Sequence, residues 1–283
     1  MSPLSFSREL EVAKRLARQA GAVIMEHYRA GVEVHYKDRG ESDPVTAADR
    51  DANTLIVEGL AAAFPDDGIL AEESPDTSDR REKSRLWVVD PLDGTRDFID
   101  QTGQFVVMIG LAIDGEAKLG VVLQPTEDVL YWGADGVATL ERGGSGGGGK
   151  TAPMRPSAKA DSSQAIMMVS RSHRSKTVSR VAEALGVKRV EPTGSVGLKV
   201  ARLAEGAADI YLSMSNRTRE WDACAPEAIL RAAGGRMTDV LGAALEYNKK
   251  ATETPRGMLA TNGPLHTACV DALRPIAAER GWL

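Results

Sequence analysis

The segment from Trp87 to Thr95 places two carboxylates around a proline at the end of an apolar run. It reads Trp-Val-Val-Asp-Pro-Leu-Asp-Gly-Thr, so Asp90 and Asp93 follow a stretch typical of a buried strand. Because proline lacks an amide hydrogen and fixes its own φ, we expect the strand to end at Asp90. Two acids held on one tight turn would repel each other unless a cation lay between them. The pattern therefore predicts a site for a hard cation such as Mg²⁺, which prefers oxygen ligands on a stiff support.

Further acids begin or end predicted elements elsewhere, and each has an ordinary structural interpretation. Asp49 lies three residues after a threonine, which is the spacing of a capping box at a helix start. Glu72 and Glu73 follow a short apolar strand and could be solvated loop acids. Asp222 precedes a helical pattern and could be its N-cap. Considered alone, only the pair around the proline favours a metal site.

The elements that must position these acids follow from hydrophobic periodicity. Stripes with helical spacing predict helices over 7–30, 47–63, 176–185, 197–204, 223–233 and 265–279. Apolar runs with Asp-Gly turns between them predict strands over 69–71, 86–89, 105–113, 117–123, 129–132, 137–140, 165–169, 210–212 and 257–260. The charged stretch 76–84 is expected to be a mobile surface loop.

This order of elements predicts an α/β (α+β) chain. An antiparallel meander dominates the first half, and helices alternate with strands in the second. We expect helix pairs packed on two sheets in layers. A glycine-rich boundary near residue 150 would separate an N-terminal lobe over 1–150, with most of the acids, from a C-terminal lobe over 151–283.

A glycine-rich stretch at 144–151 matches the phosphate-binding pattern GxxxxGK[ST] letter for letter. That motif works only when a strand precedes it and a helix follows at once. Pro153 and Pro156 stand where the helix would run, so the helix end that holds phosphate is predicted to be missing. We interpret the stretch as a flexible loop.

The bulk properties exclude several classes of partner. The chain of 283 residues carries a net charge of −5, which argues against a nucleic-acid polymer but allows a small phosphorylated substrate. Two cysteines, Cys224 and Cys269, make no disulfide framework, which favours a reducing cytoplasm. No apolar run is long enough to span a bilayer, and the first residues do not read as a signal peptide, so neither a membrane nor secretion is predicted.

Taken together, the acidic segments resemble the inositol monophosphatase superfamily of Mg²⁺-dependent, lithium-sensitive phosphatases. The matching segments lie in the family's order and at its spacing, at 44–49, 70–74, 87–95, 194–195 and 221–223. The resemblance implies a layered αβαβα sandwich. Its N-terminal lobe would hold an antiparallel sheet, its C-terminal lobe a smaller mixed sheet, and the site would lie between them.

The resemblance also implies the metal ligands. Glu72, Asp90 and the backbone carbonyl of Leu92 would hold one Mg²⁺. Asp90, Asp93 and Asp222 would hold a second, with Asp90 bridging the two ions. A third, weaker ion would lie near Glu72, so the site would hold two to three Mg²⁺ ions.

Catalytic and phosphate-binding roles follow from the same resemblance. Asp49 and Thr95, with Glu72, would orient and deprotonate a metal-bound water. Backbone amides of Gly94 and Thr95 would bind phosphate oxygens. The substrate-binding set in this part of the site would be Leu92, Asp93, Gly94, Thr95 and Asp222.

Within the superfamily the chain is most similar to the 3′(2′),5′-bisphosphate nucleotidases. These enzymes remove the 3′-phosphate of adenosine 3′,5′-bisphosphate, a by-product of sulfate assimilation, and leave AMP. A Ser-x-Ser-His element containing His173 and a Gly-Ser…Lys segment containing Ser195 and Lys199 carry this finer resemblance. The alternatives are that His173 is an ordinary surface residue and that Lys199 lies on a solvated helix face.

One departure from this branch concerns the second phosphate of the substrate. Some members carry an arginine on the strand before the Trp-Asp helix, whereas this chain reads Tyr-Leu-Ser-Met at 211–214. Two alternatives stay open: Arg217 or Arg219 substitutes for it, or the 5′-phosphate is held less tightly. Inositol-1-phosphate phosphatase, or a non-catalytic regulatory binding module of the same fold, stays open as an alternative function, and a homodimer stays open as the assembly.

Overall fold

The computed structural model describes residues 5–31, 34–36, 44–146, 148–171 and 176–283. In these ranges the chain forms α-helices α1 (Ser7–Ala30), α2 (Ala47–Ala63), α3 (Thr95–Ile99), α4 (Lys176–Ala184), α5 (Val196–Ala204), α6 (Glu220–Ala233) and α7 (His266–Glu279). Short 3₁₀ helices cover Ser78–Glu82 and Ser162–Gln164.

The strands are β1 (Val34–Tyr36), β2 (Pro44–Thr46), β3 (Gly68–Ala71), β4 (Arg85–Asp93), β5 (Val106–Ile113), β6 (Glu116–Gln124), β7 (Val129–Ala134), β8 (Val137–Arg142), β9 (Lys150–Pro153), β10 (Ile166–Ser170), β11 (Arg189–Thr193), β12 (Ile210–Ser213), β13 (Arg236–Thr238) and β14 (Met258–Thr261). Strands β3 to β9 form a seven-stranded sheet in sequence order. A five-stranded sheet has the order β11-β10-β12-β14-β13, and β1 pairs with β2 separately.

Helices and sheets alternate in five layers. Helices α1 and α2 pack on each other and on one face of the large sheet, while α6 and α5 cover its opposite face. The five-stranded sheet follows, because α5 also contacts β10, β12 and β14. Helices α4 and α7 contribute to an outer apolar cluster with this second sheet. The predicted αβαβα sandwich is therefore confirmed, with one refinement: β3 and β4 are parallel, so the large sheet is mixed rather than purely antiparallel.

A row of three glycines brings α6 close to the large sheet. Gly110, Gly120 and Gly133 are cross-strand neighbours on β5, β6 and β7. A methyl group at Gly120 would lie 2.1 Å from the carbonyl oxygen of Ala225 on α6, a distance that real contacts never show. Strand glycines of this kind mark a close approach of another backbone. The row thereby fixes the depth at which α6 lies, and α6 carries Asp222.

Several predictions made from the sequence can be compared directly. Both Asp-Gly hairpin turns adopt positive φ at both residues, as type I′ turns require. The stretch 144–151 leads into β9 rather than a helix, which confirms the rejection of a phosphate-binding loop. The stretch 76–84 lies at the surface as predicted, but it is not a plain loop, because it contains a 3₁₀ helix whose Arg80 is buried. The division into two lobes near residue 150 stays a prediction.

Among the described residues, no helix combines the length and apolar composition needed to cross a membrane.

Candidate active site

Strand β4 does not stop at Asp90 but continues through a bulge to Asp93. Asp90 pairs with Met108 and Asp93 pairs with Val106, so three steps on β4 oppose two on β5. Pro91 lies inside this irregularity, where its missing amide leaves no gap in a regular ladder. The expectation that the strand ends at Asp90 was therefore wrong. The bulge turns both carboxylates into the same cleft, and the amide of Leu92 donates to Asp90 Oδ1 at 3.0 Å.

Asp222 joins this pair from the first turn of α6. It is the third helical residue, and its Oδ2 accepts the backbone N–H of Arg219 at 2.6 Å. The N-cap interpretation was wrong by three positions, since Arg219 is the N-cap. Carboxylate oxygens of Asp90, Asp93 and Asp222 all lie within 4.8 Å of one another. Residues more than a hundred positions apart thus form one cluster of acids.

Glu72 lies near the same cluster, directly after β3. Its backbone amide donates to the carbonyl of Val89 at 3.1 Å, which extends the pairing of β3 with β4 by one residue. Its charge is close enough to raise the pKa of Asp90 and of Asp222. The solvated-loop interpretation of Glu72 therefore fails, because the residue is half-buried against the acids.

Asp93 is fixed in place by the beginning of α5. Its Oδ2 accepts the hydroxyl of Ser195 at 2.6 Å and the amide of Gly197 at 2.7 Å. Ser195 is the N-cap of α5, accepts the amide of Leu198 at 3.0 Å, and has a φ of 54°. Holding a serine in this left-handed region costs free energy, which the cap and the bond to Asp93 offset. The structure thus places Ser195 on Asp93, and its role as a substrate ligand stays a prediction.

Asp49 uses its two carboxylate oxygens for different purposes. Oδ2 accepts the backbone amide of Thr46 at 2.8 Å and the Thr46 hydroxyl at 2.6 Å, so the predicted capping contact exists. Oδ1 accepts the hydroxyl of Thr95 at 3.1 Å. The same hydroxyl lies 3.3 Å from the carbonyl oxygen of Leu92. Asp49 therefore caps the beginning of α2 and also contacts Thr95 in the cleft, so the capping role does not exclude a catalytic one.

Burial and mutual repulsion raise the pKa values of the clustered acids. Burial is the largest cause for Asp90, whose pKa lies well above the usual range, and the charges of Glu72, Asp93 and Asp222 act in the same direction. Burial likewise raises the pKa of Asp93, although Lys199 and the bonds from Ser195 and Gly197 oppose the shift. Burial and the charge of Asp93 raise the pKa of Asp222 to about 8. Without a cation, burial and repulsion therefore favour the protonated forms of these carboxylates, most clearly at Asp222, whose pKa of about 8 lies above neutral pH.

Lys199 lies in the core of the site and not on a solvated helix face. Its side chain is 3% exposed, and Nζ donates to the carbonyl oxygens of Thr193 and Gly194, both at 3.3 Å. The ammonium group also lies 5.2 Å from the ring centroid of Tyr211. Burial lowers the pKa of Lys199 to about 8, whereas the charge of Asp93 acts to raise it. The solvated-face alternative is wrong, and a contact between Lys199 and substrate stays a prediction.

Two supporting residues were missed from the sequence. Gln104 accepts the amide of Gly194 at 2.8 Å and a guanidinium N–H of Arg171. Asp97, buried on α3, lies 3.3 Å from Arg171 Nε and packs so tightly that a side chain at Gly194 would collide with it. Together they fix the strand-to-helix turn that presents Ser195. The sequence around them shows no distinctive signal, since Asp97 follows Arg96 and Gln104 follows Gly103 in short polar stretches of a common kind.

Other predicted substrate residues lie differently. His173 lies outside the described residues. Arg219 pairs with Glu253 and lies 3.3 Å from the Thr252 hydroxyl, so its guanidinium is already engaged beside Asp222. Arg217 is exposed.

The donor set fits a hard divalent cation. Three converging carboxylates, a fourth from Glu72 and the nearby carbonyl of Leu92 offer oxygen ligands only, which suits Mg²⁺ and not a soft transition metal. The raised pKa values agree with this interpretation. Crowded carboxylates repel one another, and a bound cation would favour their charged forms.

A pH dependence of metal binding follows from these shifts. Below about pH 8 the metal-free cluster holds protons that an ion must displace, because metals bind deprotonated carboxylates. We expect affinity for Mg²⁺ to rise from about pH 6 to about pH 8 and to change less above that range. Calorimetric titrations in two buffers of different ionisation enthalpy would count the released protons. An affinity independent of pH, with no protons released near pH 6.5, would contradict the raised pKa values.

Comparison with known proteins places the chain among phosphatases. The model of the inositol monophosphatase family matches residues 7–277. The 3′(2′),5′-bisphosphate nucleotidase CysQ of Salmonella typhimurium is 37% identical over 242 residues, which cover 85% of this chain and 94% of that protein. The inositol-1-monophosphatase of Bacillus subtilis is 30% identical over 82% of this chain and 85% of its own length.

Solved structures agree with the sequence comparisons. The CysQ of Bacteroides thetaiotaomicron superposes with a TM-score of 0.76 at 29% identity, covering 91% of this chain and 98% of that one. The IMPase of Thermotoga maritima superposes with a TM-score of 0.79 at 26% identity, covering 96% and 99%.

Proposed function

This chain belongs to the inositol monophosphatase family and is a phosphatase, and from that premise we propose that it is a Mg²⁺-dependent 3′(2′),5′-bisphosphate nucleotidase. It would hydrolyse the 3′-phosphate of adenosine 3′,5′-bisphosphate to give AMP and phosphate. The observation that carries the chemistry is the convergence of three carboxylates from β4 and α6 within 4.8 Å. An acidic cluster of this kind repels a phosphate unless cations lie between the two. The cations that these acids would hold therefore allow the phosphate to bind.

The metal residues would divide into two overlapping sets. Glu72, Asp90 and the Leu92 carbonyl would hold one ion, and Asp90, Asp93 and Asp222 would hold another. Bound Mg²⁺ supplies Lewis acidity, lowers the pKa of a water and neutralises phosphate charge. Asp93 can serve as a well-oriented ligand because the Ser195 hydroxyl and the Gly197 amide hold its carboxylate in place through Oδ2.

Asp49 and Thr95 would manage the proton of the attacking water. The Thr95 hydroxyl donates to Asp49 Oδ1, so its oxygen lone pairs are free to accept a hydrogen bond from a water in the cleft. A proton could then pass through Thr95 to Asp49, with Glu72 orienting the water from the other side. Asp49 stays in position during this transfer because Thr46 holds its second oxygen.

Backbone amides at the turn after β4 would bind phosphate oxygens. Gly94 has a φ of 100°, and a side chain there would also press on the backbone of Gln104 and Phe105. Only glycine fits this conformation and spacing easily. The turn would therefore present the amides of Gly94 and Thr95 toward the cleft formed by the acids.

The nucleotide part of the substrate is supported by an apolar cavity of about 720 Å³. It is bordered by the carboxyl ends of β10, β11 and β12 and by α4, with Val169, Pro192 and Met214 in its lining. Tyr211 also borders it and lies near the acids, since the charges of Asp222 and Asp93 contribute to its raised pKa. An apolar lining favours a nucleobase over the polyhydroxylated ring of inositol.

The substrate assignment can be tested by phosphate release. We expect faster turnover with Mg²⁺ on adenosine 3′,5′-bisphosphate than on inositol-1-phosphate, measured as kcat/KM for each. Faster turnover of inositol-1-phosphate would replace the proposed substrate but keep the chemistry. No turnover of either substrate, in protein that binds Mg²⁺, would favour a regulatory binding module.

A further inference from the structure

A polar junction built on a buried arginine and a buried glutamate connects the segment after Glu72 with the helix that carries Asp222. Arg80 forms one side of it and Glu220 the other, with Asn248 and Lys249 between them. We call these four residues the Arg80 junction. None of them belongs to the metal, catalytic or substrate sets above.

Arg80 makes four hydrogen bonds at one side of the junction. Its side chain is 1% exposed, and its guanidinium donates to both carboxylate oxygens of Asp76, at 2.6 and 2.9 Å. It also donates to Asn248 Oδ1 at 2.9 Å and to the carbonyl of Lys249 at 3.0 Å. In return, Asn248 Nδ2 donates to the carbonyls of Arg80 and Lys83, both at 3.0 Å. The segment after Glu72 is thereby fixed to the loop around residue 248.

Glu220 makes the matching contacts at the other side. It is fully buried, and its carboxylate accepts the backbone amides of Asn248 at 2.8 Å and Lys249 at 3.1 Å. Lys249 Nζ lies 3.3 Å from the same carboxylate. One residue earlier, the hydroxyl of Tyr247 donates to Glu227, which lies about two helical turns after Glu220 on α6. The loop around residue 248 is thus fastened to α6 at two points.

The junction lies close in sequence to the residues it would position. Arg80 packs on Gly68 at the start of β3, where a methyl group on the glycine would approach its Cβ to 3.1 Å, and β3 ends next to Glu72. Glu220 begins α6 two residues before Asp222. A rigid connection between these two points would set the distance between Glu72, a proposed ligand of one ion, and Asp222, a proposed ligand of the other.

We propose that the Arg80 junction positions Glu72 relative to Asp222 and thereby sets the affinity of the site for divalent cations. The inference rests on the proposed metal function. Second contacts of this kind orient metal ligands without touching the ion. If the network only stabilised the fold, its removal would lower stability and leave the affinity of the site for divalent cations unchanged.

The test compares three variants with wild-type protein. Asn248→Gly removes the side-chain bonds to Arg80 and Lys83 but keeps a backbone whose φ of 64° glycine adopts without strain. Arg80→Met removes the guanidinium and keeps its apolar stem. Arg80→Lys keeps the charge but cannot form the paired bonds to Asp76. Arg85→Met is the matched control, since Arg85 is also paired twice, with Asp67 and Glu9, away from the acids.

Binding of Mn²⁺, followed by the loss of its free EPR signal, supplies a readout that does not require turnover. We expect Asn248→Gly and Arg80→Met to raise the dissociation constant about 10-fold and to raise the Mg²⁺ concentration for half-maximal activity by a similar factor. At saturating Mg²⁺, kcat should return to within about twofold of wild type. Arg80→Lys should fall between, and Arg85→Met should bind Mn²⁺ like wild type even where its thermal midpoint drops.

The outcomes separate the junction from the metal site itself. Wild-type protein that fails to bind Mn²⁺ would refute the proposed metal function. If the wild type binds ions and Asp93→Asn does not, the metal site holds and the junction is tested alone. Folded Asn248→Gly and Arg80→Met proteins with unchanged Mn²⁺ affinity would overturn the junction's positioning role, and equal losses in Arg85→Met would assign the effect to general destabilisation.

Discussion

Asp93→Asn is expected to lower kcat at least about 10³-fold with the fold intact, because metal-ion catalysis contributes several kcal/mol and each ~1.4 kcal/mol is tenfold in rate. The substitution removes one charge and no volume. The Ser195 hydroxyl and the Gly197 amide both donate to Oδ2 of Asp93, and an asparagine carbonyl oxygen in that position can accept both bonds, so the beginning of α5 keeps its contacts. The loss would therefore come from the ion site. Phosphate release with Mg²⁺ varied up to saturation measures it.

Asp100→Asn is the matched control for that experiment. Asp100 ends α3, seven residues further along, and is exposed, so the same chemical change there should leave kcat and the Mg²⁺ requirement unaltered. Near-normal turnover in Asp93→Asn would refute its assignment as a metal ligand. A loss that higher Mg²⁺ concentrations fully reverse would limit the role of Asp93 to affinity.

The pair of acids on β4 was predictable because the local sequence around it indicates the same metal site that the distant acids complete. A proline between two aspartates after an apolar run is informative without a partner, and Asp90 and Asp93 do end up together. The interpretation of Asp49 as a capping residue was right and still incomplete. A carboxylate has two oxygens, and the sequence cannot show that the second one faces Thr95.

The fold contains positioning devices that periodicity does not reveal. The bulge at Pro91 depends on the neighbouring strand, whose register is set by hairpin turns elsewhere. The three-glycine row could have been noticed in the predicted strands, but the helix that rests on it begins about ninety residues later. Strand β11 was missed because Arg-Val-Glu-Pro-Thr lacks an apolar alternation, and its pairing with β10 alone makes it an edge strand.

Buried charges account for the remaining surprises. Arg80 was placed in a surface loop, and a solvated helix face stayed open as the alternative for Lys199, because lysine and arginine are rarely buried. Each is buried here with its donors satisfied by backbone carbonyls or a carboxylate. Such pairing depends on tertiary structure. Residue type alone therefore predicts exposure for a lysine or arginine that the fold buries.

Asp49 and Thr95 are expected to act as one unit in proton transfer, and a double-mutant cycle can show it. Asp49→Asn should lower kcat by about 10²- to 10³-fold, within the range of general acid–base catalysis and its supporting contacts. The amide oxygen can still accept the Thr46 amide, so the start of α2 should lose only about 1 kcal/mol of stability. Thr95→Ala should lower kcat by a similar factor, whereas Thr95→Ser keeps the hydroxyl and should retain most activity.

The cycle distinguishes this unit from two independent residues. If the proton passes from Thr95 to Asp49, the double variant should be about as slow as either single variant, since removing one member already breaks the transfer. Single-turnover phosphate release at saturating Mg²⁺ would measure the chemical step apart from ion binding. Multiplying effects of the two substitutions would show that Asp49 and Thr95 act separately, because the 3.1 Å bond between them would then carry no proton in the reaction.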